Sequence, residues 1–181
     1  MAFLKETRPY PLRLIFDSIR AALLVIALLV PSGLAASVVS KELNNAQLLG
    51  SGTFRFLGLP LYDAKLYTTG GAPFSWNEDF GLELTYRKNL TQKALVNSTL
   101  EEIARQGNNA PTRAQLEQCF QAVSKGDTYL AISQGPNAIG FWRNGRKTCT
   151  LSYSGAKRGF MSIFLGSNTR SASFTSQLKG Q

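Results

Sequence analysis

At 181 residues, 44% of them hydrophobic and only 17% charged, the chain has the size and composition to bury one core, and extended disorder is excluded. Twenty basic residues stand against 11 acidic ones, a formal net charge of +9, and histidine is absent. Histidine-dependent triads and histidine-ligated zinc are therefore excluded, and no metal-ligand spacing or CxxC redox pair is present, so neither a metal nor another cofactor is expected.

The first 36 residues read as an export signal. Lys5, Arg8, Arg13 and Arg20 precede the apolar run 21–30, AALLVIALLV, and PSGLAAS then breaks the helix and leads into small residues. A basic region, a short apolar run and a small-residue exit are the order of a secretory signal, with cleavage after Ala35 or Ala36. The run is shorter than the roughly 20 apolar residues a membrane span needs, although an uncleaved anchor starting near Leu12 is the alternative. The rest of the chain, 37–181, reads as one domain with 16 basic and 9 acidic residues, a net charge of +7. An exported protein does not meet nucleic acid, and its basic residues are dispersed, densest in RNGRK (143–147) and AKR (156–158). They read as a solvated face, with peripheral attraction to anionic lipid head groups as a further expectation.

Both cysteines, Cys119 and Cys149, fall in the exported part. An oxidising compartment allows them to pair; the alternative is two buried thiols. A disulfide closing a loop of about 30 residues would stabilise the fold by roughly 3–4 kcal/mol.

Along the domain, 37–46 reads as a short lead-in. LLGSGTFRFLG (48–58) alternates, with Phe54 and Phe56 on one face and Thr53, Arg55 and Leu57 on the other. Gly58-Leu59-Pro60 reads as a turn, and 61–69 as a second strand with Tyr62, Ala64 and Leu66 on a common face. After a loop (70–81) and a strand (82–88), the period changes. Thr91 can cap a helix whose stripe is Ala94, Leu95, Leu100 and Ile103, stopped by Gly107. Thr112 can cap a second helix, with Leu116, Cys119, Phe120 and Val123 on its apolar face. Strands over 127–133, 138–144 and 146–153 then form a meander with turns at Gly135-Pro136 and Asn144-Gly145. An apolar patch, 160–165, and a short closing helix from about Asn168 end the chain. Strands, helices and strands again make an α+β domain: a large, mainly antiparallel sheet with helices packed on one face.

The order of GxGxxR on a first strand, LYxAxLY on the next, a strand into an amphipathic helix, GDTYLA, FW and finally FMSIFLGSNTR resembles the chalcone isomerase-like family, especially its exported bacterial branch, over about residues 47–179. The resemblance implies an open-faced β-sandwich with a cleft between sheet and helices, and a periplasmic location. It implies either a plant-type enzyme, an intramolecular lyase closing a flavanone ring, or a non-catalytic fatty-acid binder. In both, an arginine of the first strand reaches the ligand anion; the matching residue is Arg55. The second-strand position that is tyrosine in the binders matches Tyr62. The tyrosine, lysine and asparagine that the enzymes carry on the first helix are replaced here by Leu95, Ser98 and Glu102.

An anion holder without groups to activate a carbonyl binds more readily than it catalyses. The expectation is an exported, non-catalytic binder of an apolar ligand with an anionic end, such as a fatty acid. Arg55 and Tyr62 are its ligand-binding candidates, and no catalytic residue is assigned. For Arg55 the alternative is a strand arginine whose stem covers apolar neighbours while its head stays in water. Two other functions compete: an enzyme on a small phenolic or enone substrate using Tyr62, Lys65 and Tyr86, and an interaction module using the basic 143–158 region.

Overall fold

The structure, a computed structural model, describes residues 33–181. Residues 1–32, which hold most of the expected signal, lie outside the described residues. The order is helix α1 (Gly33–Glu42), strands β1 (Ala46–Phe56), β2 (Leu59–Thr69) and β3 (Phe80–Tyr86), helices α2 (Gln92–Arg105) and α3 (Arg113–Cys119), strands β4 (Thr128–Ser133), β5 (Ala138–Arg143) and β6 (Arg146–Ser152), and helices α4 (Ala156–Leu165) and α5 (Ala172–Leu178).

The six strands form one sheet in sequence order, each antiparallel to its neighbour. Period-2 pleating sends Ala64, Leu66, Leu82, Leu84, Ala131 and Phe141 to one face, where they join side chains of α2–α5 in the main core. Leu130, Ile132 and Trp142 point the other way and pack with Val39 of α1. This is the expected α+β architecture with one addition. The segment read as a lead-in is helical as far as Glu42 and covers the second face of the sheet.

Helix α2 forms where the sequence signals it. Thr91 caps it, its hydroxyl accepting from the Ala94 N–H at 3.1 Å, and Gly107 follows its end at φ +70°. Helix α3 is capped reciprocally by Thr112 and Gln115 but is shorter than expected: at Phe120 the backbone becomes extended (φ −101°, ψ 142°). Val123, read as helical, instead pairs with Leu90 through two N–H···O bonds of 2.9 Å. Apolar residues three apart suit a helix, but a long-range backbone pairing takes them here. The 160–165 patch is the second half of α4, and the closing helix starts at Ala172, capped by Ser171, rather than near Asn168. The first hairpin turn is Leu57-Gly58, with Leu59 and Pro60 already in β2.

A disulfide joins Cys119 at the end of α3 to Cys149 of β6, with Cα atoms 5.0 Å apart. It fastens the middle helices to the far edge of the sheet.

The near edge is fastened by glycine. A Cβ on Gly50 would stand 2.2 Å from the Gln177 carbonyl oxygen and 2.5 Å from that of Leu178, and a Cβ on Gly52 would stand 2.6 Å from Gln177 Oε1. The GxG of β1 is thus the seat of the C-terminal end of α5, where backbone approaches backbone. Gly50→Ala must push α5 off the strand, because its neighbours are main-chain atoms that cannot rotate away. We expect it to lower the unfolding free energy by roughly 1–3 kcal/mol, the usual cost of overpacking, measured by urea denaturation; an unchanged midpoint would contradict this seating.

Candidate functional site

Further along β1, glycine gives way to phenylalanine. Phe54 and Phe56 on β1 and Leu61 and Tyr62 on β2 form one wall of a cavity of about 450 Å³ between the sheet and the helices. Leu84 and Tyr86 of β3 continue that wall; Leu95 and Thr99 of α2, Phe164 of α4 and Phe174 of α5 stand opposite. The volume lies within the range of small-molecule sites, and the lining is mostly apolar with a few polar groups, as such sites are. Behind it a recess of about 50 Å³ shares Leu84, Tyr86, Leu95, Thr99 and Phe164, so the apolar space reaches inward toward Phe120 and Phe160.

The aromatic rings are locked to one another. Tyr62 stacks on Phe54 with ring centroids 5.1 Å apart and meets Phe174, Tyr86 and Phe164 edge-on at 6.0–6.2 Å. Such offset and edge-on pairs are the favoured aromatic geometries and hold the wall rigid. Burial, then the neighbouring Tyr86 and Glu102, pushes the Tyr62 phenol far above its ordinary range; burial, then Tyr129, does the same for Tyr86. Both phenols are therefore neutral hydrogen-bond donors at physiological pH, not bases. The Tyr62 hydroxyl has no hydrogen-bond partner among the described residues.

One end of the cavity is charged. Glu102, buried on α2, lies between two guanidiniums: Arg105 donates to its Oε2 at 3.0 and 3.2 Å, and Arg170 donates through Nε to its Oε1. Burial alone would raise the Glu102 carboxyl; the hydrogen bonds and charges of Arg105 and Arg170 outweigh it and hold the group below the ordinary carboxylate range. Arg105 also donates to the Asn168 carbonyl oxygen at 2.6 Å, and the Thr169 hydroxyl lies 2.8 Å from that of Thr175. The strap from Gly166 to Ser171 is thereby tied to α2 and α5 over the cavity, with Arg170 lining it. Arg105 and Arg170 share the buried Glu102, and the exposed Glu101 next to it also lines the cavity, so this end carries charges of both signs.

The structure places the two proposed ligand-binding residues differently. Tyr62 lines the cavity. Arg55 is exposed and donates to the Gly58 carbonyl oxygen at 3.3 Å, outside the lining. The pleat that aims Phe54 and Phe56 inward aims the residue between them out. The cation that does line the cavity, Arg170, went unassigned in the sequence: it is 68 residues from Glu102, and only the strap over α2 joins them. Leu95, Ser98 and Glu102 all face the cavity, as the helix alignment implied. Leu95 has no polar group, the Ser98 hydroxyl is committed to the Ala94 and Leu95 carbonyls at 2.9 and 3.2 Å, and Glu102 is held by the arginines.

The remaining candidates are dispersed. Lys65 pairs with Glu83 at 3.6 Å, on the face with Leu130 rather than in the cavity. In the basic region Arg143 pairs with Asp127 at 2.8 Å, Lys157 is buried against Asp79 at 3.1 Å, and Arg158 lies over the Trp76 ring at 4.7 Å. Among the described residues no cluster of His, Cys, Asp and Glu could hold a metal, and no helix is long and apolar enough to cross a membrane.

Glu102 predicts a pH signature. Its folded-state carboxyl is below its unfolded value, so its contribution to stability is complete above the unfolded value near pH 4.3–4.5 and is lost as pH falls through the folded one. The stability difference between wild type and Glu102→Gln should be constant above about pH 5 and shrink toward zero in stronger acid. Denaturation midpoints across that range test this; a difference that grows on acidification would contradict the pairing.

No protein-family model matches the chain, and no curated protein sequence matches it. Among solved structures it is similar to a fatty-acid binding protein of Arabidopsis thaliana, with 11% sequence identity and a TM-score of 0.59, over 76% of this chain and 88% of that one. At that identity the likeness is one of architecture: the protein has the chalcone isomerase-like fold.

Proposed function

We propose that this is an exported, non-catalytic binding protein for an apolar molecule with an anionic end, of the fatty-acid kind. The observation that carries the reading is the mainly apolar cavity of about 450 Å³ whose one lining cation among the described residues is Arg170, beside Glu101 and Glu102. The tail of such a ligand lies among Phe54, Leu84, Leu95, Phe164 and Phe174, and its acid end meets the Arg170 guanidinium, with the neutral Tyr62 hydroxyl as a second donor. The fatty-acid binding protein of similar fold supports the ligand class. The three helix positions compared with the enzymes support binding over ring closure, since Leu95 has no polar group, the Ser98 hydroxyl is bonded to the Ala94 and Leu95 carbonyls, and Glu102 is held by Arg105 and Arg170. Export to the periplasm is part of the same proposal and rests on the order of charge, apolar run and small residues in the first 36 positions.

Native mass spectrometry of the protein purified without added ligand, followed by solvent extraction, tests it. A bound amphiphilic acid is expected. Arg170→Ala should weaken retention by roughly tenfold to a hundredfold, as loss of a charge-assisted hydrogen bond does, whereas Arg55→Ala leaves it unchanged. A protein that is ligand-free and gains no mass on titration with fatty acids would overturn the reading. Loss in Arg55→Ala with retention in Arg170→Ala would move the anchor back to the first strand.

A further inference from the structure

The first hairpin ends in an unusual turn. Phe56 pairs with Leu59, so Leu57 and Gly58 make a two-residue loop with φ +49° and +79°. Turns of this kind want Asn-Gly or Asp-Gly, because both central residues are left-handed. Among the described residues the other non-glycine residues with positive φ are Asn45 and Asn144, the residue type expected there. Leu57 combines a disfavoured backbone with an apolar side chain that is 87% exposed, and a Cβ at Gly58 would meet nothing within 4 Å. Folding gains nothing from leucine here; asparagine would suit the turn better and cost no exposed apolar surface. Phe56 and Leu59 beside it are 49% and 64% exposed, so three of the four large exposed apolar residues among those described stand on one hairpin tip.

The surroundings of the tip are basic. The antiparallel register that closes β1–β2 at Phe56–Leu59 also brings Thr85 opposite Thr128 and Arg143 opposite Arg146 at the same end of the sheet. That end therefore carries Arg55, Arg87, Lys88 and Lys125, and the exposed Arg146 and Lys147 of the RNGRK turn. Of the acids nearby, Asp63 and Asp127 are paired to Arg87 and Arg143 at 2.8 Å each, and Glu101 lines the cavity with Phe56. The tip also adjoins the cavity, since Phe56 and Leu61 line it.

We propose that this end of the sheet docks on an anionic lipid bilayer, with Phe56, Leu57 and Leu59 entering the interface and the cations along the same end of the sheet lying against the head groups. An apolar wedge at one corner with cations spread along the same end matches both layers of such a surface, the acyl boundary and the negative head groups. Docking there sets the cavity beside the membrane, where an amphiphile could pass between the two. The docking does not require any ligand in the cavity.

The test is local to the tip. Cys119 and Cys149 are the only cysteines and are joined to each other, so the full chain carrying Leu57→Cys takes an environment-sensitive fluorophore at that position alone. Gln134→Cys, exposed at the opposite end of the sheet, is the control. With vesicles of phosphatidylcholine and phosphatidylglycerol, the label at 57 should shift to the blue and be quenched by nitroxide lipids, and the label at 134 should not respond. Arg146→Glu with Lys147→Glu should weaken the response at 57 at least about tenfold, given the contribution of each basic residue near an anionic surface. Leu57→Asn should raise the melting temperature while lowering vesicle binding, which separates docking from folding. A label at 57 that stays in water with these vesicles would overturn the proposal. So would a concentration-dependent blue shift without vesicles, which would make the tip a contact between copies, or an equal response on phosphatidylcholine alone. Ligand retention, read by native mass spectrometry on Leu57→Asn, is independent of these outcomes.

Discussion

The seat of α5 on β1 sets the shape of everything near it. Gly50 lets helix backbone descend to within contact of strand backbone, a distance no side chain would permit, and Gly52 makes room for the Gln177 side chain. Two and four residues on, the same strand face carries Phe54 and Phe56, and Phe54 meets Phe174 of α5 at a ring distance of 5.5 Å. A helix seated directly on glycine at one end and held off by aromatic rings at the other leaves a wedge of space. That wedge is the cavity. The disulfide secures the opposite edge, so the layer over the sheet is pinned at both sides and the space between cannot close by a simple shift.

Within the wedge the electrostatics divide cleanly. The phenols of Tyr62 and Tyr86, neutral at physiological pH as any phenol is, are pushed further from ionising because burial opposes the phenolate. The charge is gathered at one end, where two arginines enclose Glu102 and hold its carboxyl below the ordinary range against the effect of burial. A buried carboxylate with two guanidiniums is a costly arrangement unless its hydrogen bonds are filled, and they are, by Arg105 and by Arg170 of the strap. The Arg170 bond to Glu102 and the Arg105 bond to the Asn168 carbonyl hold the strap in place, so structural closure and the charged end of the cavity are one device.

Much of this was legible in the residues. Alternation revealed that Phe54 and Phe56 share a face, threonine caps marked both middle helices, and the order of short motifs pointed to the fold. What went unread had a common cause. The end of α3 was misplaced because Val123 satisfies a helical period as well as it satisfies its pairing to Leu90, 33 residues away. Helix α1 reads as a lead-in because Val39, with Leu43 just past the helix end, is too short a stripe to show what it covers. Arg55 drew attention as a cation between phenylalanines, yet the pleat that makes the phenylalanines lining residues carries it away from them.

Sequence by itself determined most of the elements, their order and the glycine pair within the first strand. These are local properties, decided by φ, by the presence or absence of a Cβ and by period. Which side each strand residue faces in the assembled sheet, which arginine reaches Glu102, and which basic turns gather at one end were decided only by tertiary structure. Those facts depend on register and on the path of the strap over α2, and neither is written in any stretch of chain short enough to read locally.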